Sequence, residues 1–429
     1  MPVKKLMEEF LLCLKNPVKQ DLNIWFTRFS KWFLISLLIG IIVGSASALF
    51  LTTLNWASAY RENHLWIIYF LPVAGLSIGM LYNYWGKDVV KGNNLLIEEL
   101  QTPKKSVPLI MAPLIYITTI VTHLFGGSAG REGTAVQIGG SIADQFTTYF
   151  KLNPRERKIL LICGISAGFS SVFGTPIAGT IFGLEVFMLG SLMYGAIMPA
   201  LITAIIADYA CRAWGVDHTH YFIYLVPGLS LFNIVVTLAA GMIFGLAARS
   251  FSLLNHFLSG LFSKIKYPPF KPLAGGMILL IVIHLIGNTR YIGLGIPVIS
   301  EAFIQQEPYD AFIIKLLLTA LTLASGFKGG EVTPLFFIGA TLGSFLSIFM
   351  PLPVGLLAGM GFVAVFSGAA NTPLACIFMG LELFGLAPGI YIALACATAY
   401  MFSGYNGIYS SQTINVSKRW KLKKHQFLG

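Results

Sequence analysis

Between two apolar segments, Ala112 to Phe125 and Thr134 to Ile142, the chain inserts a glycine-rich break, Gly126-Gly-Ser-Ala-Gly130-Arg-Glu-Gly133, that carries an arginine and a glutamate. Removing a carboxylate from water is costly unless it is paired, protonated or facing a wet cavity, so charge at that depth marks a functional position. Irregular backbone inside a bilayer is tolerated only where it lines a cavity or is buried in protein. Glycines let the backbone approach a ligand closely, and a helix that starts after them offers free N–H groups to an anion. The break therefore points to an anion site with Glu132 as a titratable gate. A plain Arg131–Glu132 ion pair is the structural alternative, disfavoured because neighbours within a helix point to different faces.

The rest of the chain fits a polytopic membrane protein. Of its 429 residues 56% are hydrophobic and 11% charged, and the mean hydropathy of +0.75 lies outside the soluble range. Apolar stretches such as 274–288 and 311–325 are too short to cross a bilayer of about 30 Å, while 158–189 and 373–404 are long enough for two helices joined by a break. The net charge of +11 raises nucleic-acid binding as a reading, and its distribution argues against that. Lysines and arginines gather before residue 32, at Lys151–Lys158, at Lys264–Lys271 and at Lys418–Lys424, four groups that the positive-inside rule puts in the cytoplasm together with both termini. Tyr60 to His64 and Trp214 to Tyr221 are poor in basic residues and fit the outside. Residues 1–30, with Phe10, Leu11, Leu14, Trp25 and Phe26 among lysines, read as an amphipathic helix on the inner surface and not as a cleavable signal.

An internal repeat at a spacing of about 200 residues organises the remainder. Ser170 to Phe187 and Ser367 to Phe384 share Thr-Pro, an alanine two residues after the proline, and Gly-Leu-Glu. Gly126, Gly130, Ile138 and Gly139 correspond to Gly326, Gly330, Ile338 and Gly339, and Gly92-Asn-Asn-Leu-Leu96 lies opposite Gly293-Leu-Gly-Ile-Pro297. Duplicated membrane proteins build their site near the midplane, where broken helices of the two halves meet. The expected units are a surface helix at 1–30, a first membrane repeat at 31–213, a second at 214–404, and a final segment with a basic tail at 405–429.

The second break, Ser325 to Pro334, contributes Glu331, Val332 and Thr333. A threonine hydroxyl and free helix N–H groups are donors to an anion, whereas Glu331 needs a proton or Lys328 beside it. Asn93 and Asn94 open a third break with amide donors, and Tyr409 follows the last apolar segment; capping or turn roles are their plainer reading. The symmetric Glu185 and Glu382 read as a structural tie. Lys315 reads as snorkelling to the interface, and Asp208 with Arg212 as a surface pair. Five scattered cysteines suggest neither a disulfide framework nor a metal site. No cofactor is expected. With no metal-ligand spacing, Walker loop or nucleophile elbow, a membrane-embedded enzyme using Glu132 as a base is the weakest reading.

These blocks resemble the CLC family of chloride channels and proton-coupled anion exchangers over nearly the whole chain. Gly130-Arg-Glu-Gly133 followed by Thr-Ala-Val-Gln-Ile-Gly is similar to that family's gating-glutamate motif, Gly329-Gly330-Glu-Val-Thr-Pro334 to its later Gly-Gly-x-Phe-x-Pro motif, and Tyr409 falls where the family has its anion-coordinating tyrosine. The resemblance implies the CLC-type fold: all-α, two inverted repeats with broken helices, eighteen membrane helices, and one pore per subunit in a homodimer. It also implies that Glu132 is the external gate, with Gly130, Arg131, Gly133 and the residues of the other breaks around the anion. Three departures matter: Asn93-Asn94 stands in place of a serine-proline motif, Thr134 follows the gate motif in place of proline, and Val186 occupies the place of the internal proton glutamate. Together with Glu331-Val-Thr333 they look like the fluoride-exporting clade, sometimes called CLC-F. The expectation is a fluoride/proton antiporter of the plasma membrane, its partners being fluoride, protons, the bilayer and a second subunit, with no nucleic acid; a chloride channel or chloride/proton exchanger is the alternative.

Overall fold

The computed structural model describes the backbone of residues 2–189, 193–414 and 418, with side chains from Phe26 onward apart from a few strand positions. Among these residues lie sixteen α-helices, and they fall into two series of eight in the same order. The first comprises α1 (Pro2–Asn63), α2 (Leu71–Trp85), α3 (Asn93–Gln101), α4 (Met111–Leu124), α5 (Glu132–Tyr149), α6 (Pro154–Phe173), α7 (Pro176–Glu185) and α8 (Ile197–Ala213). The second comprises α9 (Leu231–Ser263), α10 (Phe270–Ile286), α11 (Ile296–Ala302), α12 (Asp310–Ala324), α13 (Val332–Leu346), α14 (Val354–Ala370), α15 (Pro373–Phe384) and α16 (Gly389–Phe402). The only strands among them, β1 (Met188–Leu189) and β2 (Thr413–Ile414), pair in parallel and pin the end of the chain beside α7.

The helix count is lower than the eighteen expected, for two reasons. The N-terminal stretch runs without interruption into the first span as α1, and the segment carrying Tyr409 is not helical. The apolar face expected over residues 1–30 falls largely on side chains outside the described residues. Four stretches are long and apolar enough to cross a bilayer: Phe26–Asn63, Leu65–Trp85, Tyr194–Ala213 and Leu231–Ser263. Six more apolar helices have only 10–17 residues, among them α4, α13, α15 and α16, as broken-helix folds allow.

The repeated Thr-Pro motif explains two of the breaks. Helix α6 ends on Gly174 and α14 on Asn371, both in the left-handed region (φ 72° and 57°) that glycine and asparagine tolerate best. Thr175-Pro176 and Thr372-Pro373 then start the next helices, with proline in the first turn where its missing N–H costs nothing. The two halves also share a close helix crossing. A Cβ on Gly139 of α5 would sit 2.2 Å from the carbonyl of Gly164 on α6, and one on Gly339 of α13 would sit 2.0 Å from that of Gly361 on α14. Small residues let backbones touch in a setting where apolar burial alone does not drive association.

Glu185 and Glu382 tie the halves together by exchange. The carboxylate of Glu185, at the end of α7, accepts from Leu374 N (3.1 Å) and Ala375 N (2.9 Å) at the start of α15. Glu382, near the end of α15, accepts from Ile177 N (3.0 Å) and Ala178 N (2.7 Å) at the start of α7. Each acid satisfies helix-start N–H groups that have no partner within their own helix. A second buried network sets α3: Arg157 donates to both oxygens of Asp144 (2.7 Å each) and to Glu99 (2.9 Å), while Glu99 also accepts from Lys104 N (2.9 Å).

Two expectations are corrected. Lys315 does not reach the interface: it is fully buried, and its ammonium donates to Tyr291 O (3.1 Å) and Gly293 O (2.7 Å), because two carbonyls freed by the irregular backbone before α11 are closer than water. Asp208 and Arg212 are not a surface pair, since Asp208 is buried and is shared with His218 from the segment that follows α8. Cys163, Cys211, Cys376 and Cys396 are buried free thiols. Truncating Glu185 or Glu382 to alanine strands two N–H groups. Each variant is expected to lose about 1.5–3 kcal/mol per charged hydrogen bond removed, read as a lower unfolding midpoint of purified protein in detergent. An unchanged midpoint in both would show that the exchange contributes nothing to stability.

Candidate functional site

The two glycine-rich breaks meet head to head. Gly130 N donates to Gly330 O (2.6 Å) and Gly330 N to Gly130 O (2.7 Å), an isolated antiparallel bridge between the halves. Hydroxyls reinforce it one turn away, where Ser128 Oγ lies 2.9 Å from Thr319 Oγ1 and Ser128 N donates to Thr322 Oγ1 (3.2 Å). No side chain fits at the bridge: a Cβ on Gly330 would be 2.7 Å from Gly133 N, and one on Gly130 would be 2.9 Å from both Glu132 and Pro334. The result is that α5 and α13 begin side by side at the centre, with their free N–H groups converging.

Glu132, the first residue of α5, is completely buried at that convergence. Its Oε2 accepts from Thr333 N (3.0 Å) and from Arg131 N (3.1 Å), and its Oε1 accepts from the Thr333 hydroxyl. The carboxylate thus lies at the N-terminus of α13, where a free anion would find the same N–H and hydroxyl donors. Arg131 and Glu132 do approach, at 3.7 Å from Nε to Oε1, although neighbours within a helix diverge. The reason is local: Arg131 caps α5 from outside, so its side chain is not held to the helical spacing. Its buried Nε nonetheless has no hydrogen-bond partner.

Cavities lie on either side of this carboxylate's segment. The larger, about 160 Å³, is lined by Asn93, Asn94, Gln137, Lys328, Glu331 and Tyr409 among others. The smaller, about 20 Å³, is lined by Arg131, Glu132, His218, Thr219, Tyr221 and Thr333 with several phenylalanines, of which Phe336 and Phe362 stack at 3.9 Å. Val332 is buried between the two polar residues of its motif.

The structure brings Asn93, Asn94, Glu331 and Tyr409 to the larger cavity and Arg131, Glu132 and Thr333 to the smaller. Gly133 faces the third break, since a Cβ there would lie 3.0 Å from Asn93 Nδ2 and 3.7 Å from Glu331 Oε2. Asn93 Oδ1 and Glu331 Oε2 are buried without hydrogen-bond partners. Tyr409 is 4% exposed and lines the larger cavity. Asn94 has a structural task, because its Oδ1 accepts from Ser411 N (3.0 Å) and so holds the segment that carries Tyr409. The Lys328–Glu331 pair does not form: Lys328 stands over the Tyr82 ring at 4.1 Å and donates to Val90 O (3.4 Å). Thr333 gives its hydroxyl to Glu132.

Gln137 and His218 were missed. Gln137 lies one turn beyond Gly133, on the same face, and packs against Gly92, whose φ of 56° suits glycine; the helical spacing in the gate motif was a usable signal for it. His218 arrives from a loop remote in sequence, for which no local pattern gives warning.

The family model for voltage gated chloride channels matches residues 74–404. A protein of Pseudomonas syringae pv. tomato named "Chloride/fluoride channel protein" is 49% identical over 397 residues, covering 91% of this chain and 88% of that protein. Among solved structures, a CLC-type fluoride/proton antiporter superposes with a TM-score of 0.88 at 35% identity, over 91% of this chain and 99% of that one. A slow cyanobacterial Cl⁻/H⁺ antiporter shares the fold, with a TM-score of 0.74 at 19% identity over 87% of this chain and 94% of that one. A buried carboxylate bonded to the start of a facing helix is therefore set in a chain that belongs to the voltage gated chloride channel (CLC) family of membrane proteins.

Proposed function

We propose that this protein is a fluoride/proton antiporter that expels fluoride across the plasma membrane, working as a homodimer with one path per subunit and both termini in the cytoplasm. The observation that carries the reading is the hydrogen bonding of Glu132 to the N–H and hydroxyl of Thr333. A carboxylate and an anion compete for those donors, so the anion enters when Glu132 leaves. Leaving is favoured by protonation, because a neutral acid is a poorer acceptor and costs less to move through an apolar site. Proton and anion then exchange places, which is antiport.

Glu331 is the second protonatable group of the path, in the larger cavity with an oxygen free of protein partners. Val186 holds no proton, and its carbonyl accepts from Gln412 (2.7 Å), which leaves Glu331 as the acid on that side. Fluoride is small and strongly hydrated, so a site that strips its water must return short hydrogen bonds; Thr333, Asn93 and Tyr409 supply hydroxyl and amide donors. The relatives support this reading, one named for chloride and fluoride and one described as a fluoride/proton antiporter. A chloride channel or exchanger is the second reading, favoured by the word "channel" in the first of those names.

Reconstituted protein distinguishes them. Fluoride efflux from liposomes should drive protons inward, and chloride should move far more slowly; equal movement of the two halides would transfer the assignment to the chloride reading. Glu132→Gln, which cannot exchange a proton, should abolish proton movement and leave fluoride flux passive or slowed. Proton pumping by that variant would refute the mechanism. Glu331→Gln should slow coupled exchange, and normal transport of both ions would remove it from the proton path. Thr333→Val deletes one donor to a buried anion and is expected to weaken apparent fluoride affinity by about 1–3 kcal/mol, up to roughly a hundredfold, as measured by concentration dependence of flux.

A further inference from the structure

The smaller cavity is lined by Arg131, Glu132 and His218; Arg131 Nε and His218 Nε2 are buried without a hydrogen bond, Nε2 lying 3.3 Å from Asp208 Oδ1. Its volume of about 20 Å³ is enough for one water molecule, which needs roughly 10–15 Å³ and two to four polar partners. Both conditions are met there, since Thr219 adds a further polar group. Glu132 itself is completely buried and has no direct contact with solvent. His218 lines the same cavity, and its side chain keeps 7% exposure.

We infer that His218 carries protons between solution and Glu132, through a single water in the smaller cavity. This rests on the antiport reading given above. In the step, an imidazolium N–H gives its proton to the water oxygen while a water O–H proton passes to the Glu132 carboxylate. Water is regenerated, His218 becomes neutral, Glu132 becomes the acid, and His218 is recharged from solution. The carboxylate has room to accept: two donors bond Oε2 and one bonds Oε1, and a carboxylate offers about four lone-pair sites.

The groups around the imidazole suit that task. Asp208 Oδ1 of α8 lies 3.3 Å from Nε2, and Arg212 shares the same carboxylate at 2.9–3.0 Å. Arg131, just before α5, Glu132 at its start and Tyr221 from its own segment line the cavity with the ring. Asp217 and His220, its near neighbours in sequence, are exposed. A purely structural use for His218 also exists, because the ring packs on Gly174, where a Cβ would be 2.6 Å from it.

The test separates the two. In liposomes, His218→Gln keeps a side chain over Gly174 but cannot relay, and proton-coupled fluoride turnover should fall tenfold or more, within the roughly hundredfold and larger effects known for positioned acids and bases. The fluoride-to-proton ratio should stay as in the unaltered protein. His218→Ala should lose as much and regain activity when imidazole is added to the bath, which leaves the unaltered protein unaffected. Turnover of His218→Gln equal to that of the unaltered protein from about pH 5 to pH 8, the window in which histidine changes charge, would overturn the inference, as would a His218→Ala loss that imidazole does not relieve. If the unaltered protein moves fluoride without protons, the antiport reading fails first. If it couples normally and His218→Gln does too, only the relay fails.

Discussion

Two peptide hydrogen bonds between Gly130 and Gly330 set the geometry on which everything else depends. They bring the first turns of α5 and α13 within reach of each other, and so place the side chain of Glu132 on the backbone of Thr333. Because each glycine is hemmed in by the other half, the site cannot tolerate a larger residue at the bridge. Both α5 and α13 begin inside the protein, so their unpaired N–H groups have to be used there by a ligand, a side chain or the opposite strand of backbone.

The site has no strong fixed counter-charge pressed on the carboxylate. Arg131 lies near at 3.7 Å without a hydrogen bond, and Lys328 is turned onto Tyr82. The carboxylate is therefore held by helix N–H groups and a hydroxyl, the kind of donors that also suit a free anion. A buried lysine directly on the seat would make a trap. Lys315 instead donates to the carbonyls of Tyr291 and Gly293.

Much of this was legible in the sequence where the signal was local or repeated. The charged glycine-rich break singled out Glu132, the offset between the halves paired the two breaks, and the matching positions of Glu185 and Glu382 pointed to a tie between helices. What could not be read were contacts made by folding distant segments together. Asp208 and Arg212 do sit four apart on a helix, but burial by the segment containing His218 decides their role. Lys315 one turn inside an apolar run has the pattern of a snorkelling side chain until the loop before α11 brings carbonyls to it. Arg131 escapes the spacing rule because it stands just outside the helix that rule describes.

The exchanged carboxylates of Glu185 and Glu382 have a consequence for how the chain is made. When the ribosome has delivered only the first eight helices, α7 has no acid for its opening N–H groups, and Glu185 has no helix start to bind. Both needs are met at once, and only when α15 is inserted. Neither repeat can complete these hydrogen bonds alone, so the two duplicated halves of the sequence mature as one unit.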